Sequence, residues 1–398
     1  MPVAAASAAP AHQAEPLPLV VVGGGFGGLS AALQLAAAPE HPPLVLIEPQ
    51  ERFLFLPLLY ELLSGELRRW QIAPRYSELL AGRGVAWLQE RVESINTTTR
   101  QLTTSSGRRL SYGALVIATG GRPLTYGIPG VAEHCLGFRS LEDVERLQAL
   151  VQRLRQRLRP LQRLVIVGAG ASGVELACKL ADLLEGAAVL ELIEQGGELL
   201  PQSRSFNRDQ GRQALLKRDV RLRTGTRVLA VEAGAVQLDG TNGRERLSCE
   251  AVIWTGGVSG SVPELTPAVE LDPRGRLRCD SDLRVIGVEH LFALGDAARC
   301  PDATGSDHPA TAQVAYQQAS CVAANLLHQQ RGEPLQPFSW NDLGEMLGLG
   351  IGQASLTGMG LTLAGPSAFQ LRRLAYLARL PGLQHQLRVA GGWLAEWL

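Results

Sequence analysis

The chain of 398 residues has no C-x-x-C pair among its six cysteines, Cys135, Cys178, Cys249, Cys279, Cys300 and Cys321. A dithiol relay and a zinc knuckle both need closely spaced thiols, so neither is expected and no metal site is assigned. Each cysteine reads as an isolated buried thiol suited to a reducing compartment. No apolar run reaches the roughly 18 residues of a membrane-spanning helix. Residues 1–17 are rich in Ala and Pro. They lack a basic start and an apolar core, which excludes a secretory signal, and they lack the arginines of a transit peptide. They read as a mobile tail. Charge of one sign is also missing: 38 basic and 38 acidic residues cancel, so no global field steers the chain to nucleic acid. Only Lys179 and Lys217 are lysines, which reflects genome composition. A helix expected over Asp143–Leu161 carries Arg146, Arg153, Arg155, Arg157 and Arg159 around an apolar face. Without interleaved aromatics that is a solvated face, not a nucleic-acid patch.

What is present is glycine in a particular order. The apolar run Leu19–Val22 enters a turn with Gly23, Gly25 and Gly28, the G-x-G-x-x-G spacing. The first glycine turns tightly, the second lets backbone approach a pyrophosphate, and the third lets the helix pack on the strand. The helix N-terminus then offers free N–H groups to phosphate. Glu48 closes the next apolar run, Leu44–Ile47, at the distance of about 20 residues where an acid holds a ribose hydroxyl.

The pattern repeats. Leu164–Val167 leads into Gly168, Gly170 and Gly173, and the next strand, Ala188–Ile193, ends at Glu194. Two fingerprints mean two dinucleotides. Each domain also shows a strand closing in small residues: Ala118-Thr119-Gly120 in the first and Thr255-Gly256-Gly257 in the second. Val220–Leu222 and Val228–Gln237 read as two further strands. Leu291–Leu294 brings Gly295-Asp296 to a strand end, and a small-residue helix opens at Pro309–Gln318 and runs to about His328.

Together these residues resemble the two-dinucleotide flavoprotein disulfide reductase superfamily. Ala312-Gln313 with Gln317, plus the C-terminal segment, are similar to type II NAD(P)H:quinone oxidoreductases. Phe53–Leu62, Trp70–Pro74 and Leu343–Gly350 are most like the demethylphylloquinone reductase branch of oxygenic phototrophs. The resemblance implies an α/β fold of two Rossmann-like dinucleotide-binding domains, the NAD(P)H domain inserted in a discontinuous FAD domain, plus C-terminal amphipathic helices. The boundaries expected are 18–160 and 258–345 for FAD, 161–257 for NAD(P)H, and 346–398 for a membrane-associating segment. FAD belongs to the first fingerprint and NADH or NADPH to the second. The implied activity is hydride transfer from NAD(P)H to FAD, then two electrons to a prenylated quinone, with demethylphylloquinone the branch's acceptor. A reductase of a soluble electron carrier and a non-enzymatic redox sensor are the alternatives.

The resemblance places Gln313 and Gln317 at the quinone mouth. It places Glu175 near flavin and nicotinamide in a proton-handling role, where the bland reading is an acid favoured by the helix dipole. Glu194 favours NADH, because a carboxylate bonds both ribose hydroxyls and repels a 2′-phosphate; the branch implies NADPH. From Pro366, Phe369, Leu371, Leu374, Leu377 and Leu380 recur at helical spacing, interleaved with Arg372, Arg373 and Arg379. After Pro381-Gly382, Leu383, Leu387, Val389, Trp393, Leu394 and Trp397 follow. Basic faces with terminal tryptophans suit a helix lying in a lipid interface, on the cytoplasmic face of a plasma or thylakoid membrane. Docking on the domain or on a second subunit of a homodimer is the alternative.

Overall fold

A computed structural model describes residues 16–157, 162–302 and 304–395. The strand Leu19–Val22 is apolar and buried on both faces, the signature of a central parallel strand. It pairs in parallel with Leu44–Ile47 on one side and Ala114–Ile117 on the other. Val85–Leu88 and Leu291–Ala293 complete a five-stranded parallel sheet. That last strand comes from beyond the second fingerprint, so the first domain is built from two separated pieces of chain.

The second sheet repeats the plan. Arg163–Val167 lies between Val189–Ile193 and Ala251–Trp254, with Arg221–Arg223 on one edge. Its other edge is Cys135–Leu136. The second sheet thus takes a strand from before residue 161, because Ala251–Trp254 leaves an edge that this short segment pairs. Gly121–Pro123 and Val258–Gly260 run antiparallel to each other as the chain passes between the domains.

Three local expectations are corrected. The arginine-bearing helix spans Leu141–Gln156 rather than 143–161. It begins earlier because Ser140 caps it: its hydroxyl accepts from Asp143 N at 3.1 Å, and Asp143 accepts in return from Ser140 N at 3.0 Å, a reciprocal cap. Leu158, Arg159 and Leu161 lie outside the described residues, as do residues 1–15 of the tail. Val228–Gln237 is not one strand but a hairpin, Arg227–Glu232 against Ala235–Gly240; Gly234, at φ +80°, takes the left-handed turn. The C-terminal part begins with a three-stranded antiparallel sheet, Glu345–Gly348, Ala354–Gly358 and Leu361–Gly365. Helices Pro366–Leu377 and Leu383–Ala395 follow.

Candidate active site

The first glycine turn is a cradle that side chains would fill. At Gly28 a Cβ would sit 1.9 Å from Gly23 O, and at Gly23, whose φ is +97°, 2.5 Å from Ala118 O. Gly25 has open space instead, the side from which a pyrophosphate approaches. Glu48 fixes the loop: it accepts from Gly24 N at 2.7 Å and from Gln50 N at 2.8 Å. Tyr76 adds a hydrogen bond to Gly24 O at 2.7 Å.

The second turn repeats the plan. A Cβ at Gly173 would lie 1.8 Å from Gly168 O, Gly168 has φ +102°, and Gly170 is open. Glu194 accepts from Ala169 N at 2.8 Å and from Gly196 N at 2.7 Å. Behind the turns, Thr119 bonds Ser261 O and the Thr255 hydroxyl donates to Val167 O at 2.7 Å. Gly256 is required by Trp254, whose indole a Cβ would meet at 2.9 Å. Both acids are pinned by backbone N–H groups at the carboxyl ends of parallel strands, where open α/β sheets bind ligands.

Gly295-Asp296 ends the strand Leu291–Ala293 and lines a cavity with Val258, His308, Thr311 and Gln318. The helix Ala312–Arg331 points its N-terminus into that cavity, with Thr311 capping Val314 N at 3.3 Å. Asp296 lies 3.7 Å from Arg139. A flavin fits this arrangement. Gly23–Gly28 with Glu48 would hold its adenosine diphosphate half. Asp296 would hold a polyol hydroxyl, and the N-terminus at Ala312 would face the ring.

The two glutamines are engaged elsewhere. Gln313 Oε1 accepts from Leu343 N at 3.1 Å and from the Trp340 indole at 3.3 Å, and its Nε2 donates to Gly344 O at 3.3 Å. Gln317 clasps Asn341 N and O at 3.0 and 2.9 Å. Both amides grip the segment that leads to the C-terminal sheet. The amide turned inward is the neighbouring one: Gln318 is buried and accepts from Gly295 N at 2.8 Å. In sequence only its helical phase distinguishes Gln318 from Gln317, and no spacing marks out His308.

Glu175 is not a solvated acid at a helix end. It accepts from Gly348 N at 2.5 Å and lies 3.4 Å from Arg372 Nη2. Burial, with no water to solvate the charge, pushes its carboxyl up to about 7; Arg372 and the Gly348 N–H pull the other way. Arg372 also pairs with Glu61 and donates to Pro57 O at 2.9 Å. Arg372 is 1% exposed, which corrects its placement on a solvent-facing basic stripe. It is the member of the C-terminal helix that meets both domains. One buried guanidinium here serves two carboxylates, with Glu61 Oε2 and Arg372 Nε left without partners, so removing it would strand buried charge.

All six cysteines are free thiols. Burial raises Cys135 and Cys178 to about 12, so neither supplies a thiolate for disulfide chemistry.

Two glycine cradles, each with its acid at the carboxyl end of a parallel strand, define a protein that binds two dinucleotides. Residues 17–319 match the family model described as pyridine nucleotide-disulphide oxidoreductase. The chain is 40% identical, over 96% of its length and 97% of the relative's, to demethylphylloquinone reductase NdbB of Synechocystis sp.. It is 34% identical to the alternative NAD(P)H-ubiquinone oxidoreductase C1 of Arabidopsis thaliana, over 94% of this chain and 80% of that one. Its fold superposes on NDH2 from Plasmodium falciparum in complex with NADH, with a TM-score of 0.84, 18% identity and coverage of 94% and 96%. The chain therefore belongs to the pyridine nucleotide-disulphide oxidoreductase family, within its type II NAD(P)H:quinone oxidoreductases. Its cofactors are FAD and NAD(P)H.

Proposed function

We propose that the chain carries two electrons from NADH through FAD to a prenylated quinone held in a membrane, with demethylphylloquinone, the substrate its 40% relative is named for, as the acceptor. FAD supplies the two-electron chemistry when bound; the residues hold, orient and shield it. Arg372 carries this reading. One guanidinium joins Glu61 of the first domain, Glu175 of the second and the C-terminal helix, so the segment that would meet lipid is fastened to the junction where the cofactors meet. Glu175, whose carboxyl burial raises to about 7, would exchange a proton there in this reading. Gln313 and Gln317 hold the 340–344 segment against the start of the helix Ala312–Arg331, and in this reading they act on the quinone through that segment.

NADH is the nicotinamide this reading takes, and the surroundings of Glu194 support it. Both Glu194 oxygens are fixed by backbone N–H groups, and the adjacent strand's Arg221 and Arg223 turn to Glu191 and Glu245. No guanidinium of that strand is aimed at a 2′-phosphate.

The last helix would supply the membrane face. Leu383, Leu387 and Leu394 share one side at 67%, 64% and 67% exposure, while His385, Val389 and Trp393 are buried on the other. Among the described residues no helix is long and apolar enough to cross a membrane; an exposed leucine face on a short helix suits the interface of a membrane, in this reading the cytoplasmic face of a plasma or thylakoid membrane. Trp397 lies outside the described residues. Replacing the three leucines by Gln should abolish co-flotation with anionic vesicles and leave soluble turnover intact. If flotation persisted, this face would not be the membrane contact; if the wild type were a dimer that the triple variant made monomeric, a second copy would be its occupant.

The decisive experiment is anaerobic. NADH should reduce the bound flavin rapidly, and a naphthoquinone should reoxidise it. Rapid reduction without reoxidation by any quinone refutes the proposal.

A further inference from the structure

The cavity at Gly295-Asp296 contains one side chain that neither the fold nor the cradle accounts for. His308 lines it, and its Nε2 is buried with no hydrogen-bond partner. A buried imidazole nitrogen without a partner loses its hydration and gains nothing in return. The ring is nevertheless held firmly. It meets the Phe338 ring edge-on at 5.1 Å and the Trp340 ring at 6.0 Å. Trp340 is in turn fixed by its indole N–H to Gln313.

The charged neighbours are already committed. Asp307, next in sequence, is held by Arg276 at 2.6 Å and by Arg299 at 2.9 Å. Asp302 turns into its own loop, accepting from Thr304 N at 2.8 Å and Ser306 N at 2.9 Å. Neither carboxylate satisfies the imidazole. An oriented ring that lines a cavity together with Asp296 and the helix N-terminus, and that keeps one buried nitrogen without a partner, is the group left over to bond something bound in that cavity.

We propose that His308 is a catalytic residue: its Nε2–H donates a hydrogen bond to a carbonyl oxygen of a conjugated ring that gains negative charge as two electrons arrive. A flavin pyrimidine and a quinone headgroup both present such an oxygen, and the chemistry of recognition is the same for each. The donor stabilises the reduced ring more than the oxidised one, because a hydrogen bond to a charged acceptor is about twice as strong as one to a neutral acceptor. This rests on the electron path proposed above, so wild-type reoxidation by quinone is the control. If wild-type flavin is not reoxidised, that path fails; if it is and the variants behave alike, only the role of His308 fails.

The test compares His308→Phe, which keeps the edge packing and loses the donor, with His308→Gln, which keeps an N–H. Each is purified with its FAD. The flavin midpoint potential is measured by spectroelectrochemistry, and reduction by NADH and reoxidation by menadione are followed by stopped flow. If the flavin carbonyl is the acceptor, His308→Phe shifts the oxidised/reduced equilibrium about ten-fold toward the oxidised form, about 30 mV for a two-electron couple. If the quinone carbonyl is the acceptor, the potential holds and reoxidation slows about ten-fold with reduction by NADH unchanged. In either case His308→Gln stays within about three-fold of wild type. The proposal is overturned if His308→Phe leaves both readouts within two-fold, or if His308→Gln falls as far as His308→Phe.

Discussion

Replacing Glu175 by Gln isolates what a buried carboxyl does to the stability of this enzyme. In the folded chain burial lifts the group to about 7 from an ordinary 4.5. The gap between those values, at about 1.4 kcal/mol per pH unit, corresponds to about 3 kcal/mol. The sign follows from which form the fold prefers. Below 4.5 the carboxyl is protonated in both folded and unfolded chains, and its contribution is fully present. As pH rises toward 7 the unfolded chain ionises first, and the contribution is progressively lost. Above 7 the folded protein holds a carboxylate against the cost of burial, offset in part by Arg372 and the Gly348 N–H. Glu175→Gln is neutral throughout, and its amide oxygen can still accept from Gly348. The variant should therefore gain on wild type as pH rises from about 5 to about 8. The assay is the unfolding midpoint of both FAD-loaded proteins across that range. For domains of this size 1 kcal/mol moves the midpoint by about 2–4 °C, so the difference between the proteins should change by several degrees. A difference constant within about 1 °C would show that Glu175 does not ionise in this window.

Three further outcomes are expected. Gly173→Ala drives a Cβ into Gly168 O and should abolish NADH binding, measured by flavin reduction, with FAD retained; Gly28→Ala should instead lose FAD, seen in the purified protein's absorbance, because its clash is with Gly23 O. Arg372→Met leaves Glu61 and Glu175 uncompensated and should cost about 3–5 kcal/mol in denaturant unfolding; adding Glu61→Gln should recover part of it. Glu194→Gln removes a carboxylate that repels a 2′-phosphate and should raise the NADPH/NADH ratio of kcat/KM about ten-fold, the size of one charged interaction. An unchanged ratio would take Glu194 out of that role.

The cradles were legible in the sequence because their physics is local. Gly23 and Gly28 are five positions apart, and the contact that demands glycine is between them. Glu48 reaches back 24 positions to Gly24, across one strand–helix–strand unit whose length is nearly fixed. The charge cluster has no such shortness. Arg372 is 311 positions from Glu61 and 197 from Glu175, and no spacing rule spans such distances. Gln317 and Gln318 differ by one position and one-hundred-odd degrees of helical rotation, and that rotation sends one amide to Asn341 and the other to Gly295. Composition contained both residues; only the packed helix gave the phase.

The C-terminal helices show the same limit from another side. Apolar residues at helical spacing announce a period, but a helix apolar around most of its circumference has no unique inner face. In Leu383–Ala395 the structure resolves the ambiguity by burying Val389 and Trp393 and leaving Leu383, Leu387 and Leu394 outside. Arg373 stacks over Trp393 at 4.2 Å and Arg388 over Trp70 at 5.0 Å, so cations cover the aromatic groups while the leucines stay bare. A helix that spent its aromatics inward and kept its leucines outward gains nothing from water on that side. Its inner face is fixed by the domain, Arg372 ties the preceding helix to Glu61 and Glu175, and its outer face is the one that the proposed membrane contact would use.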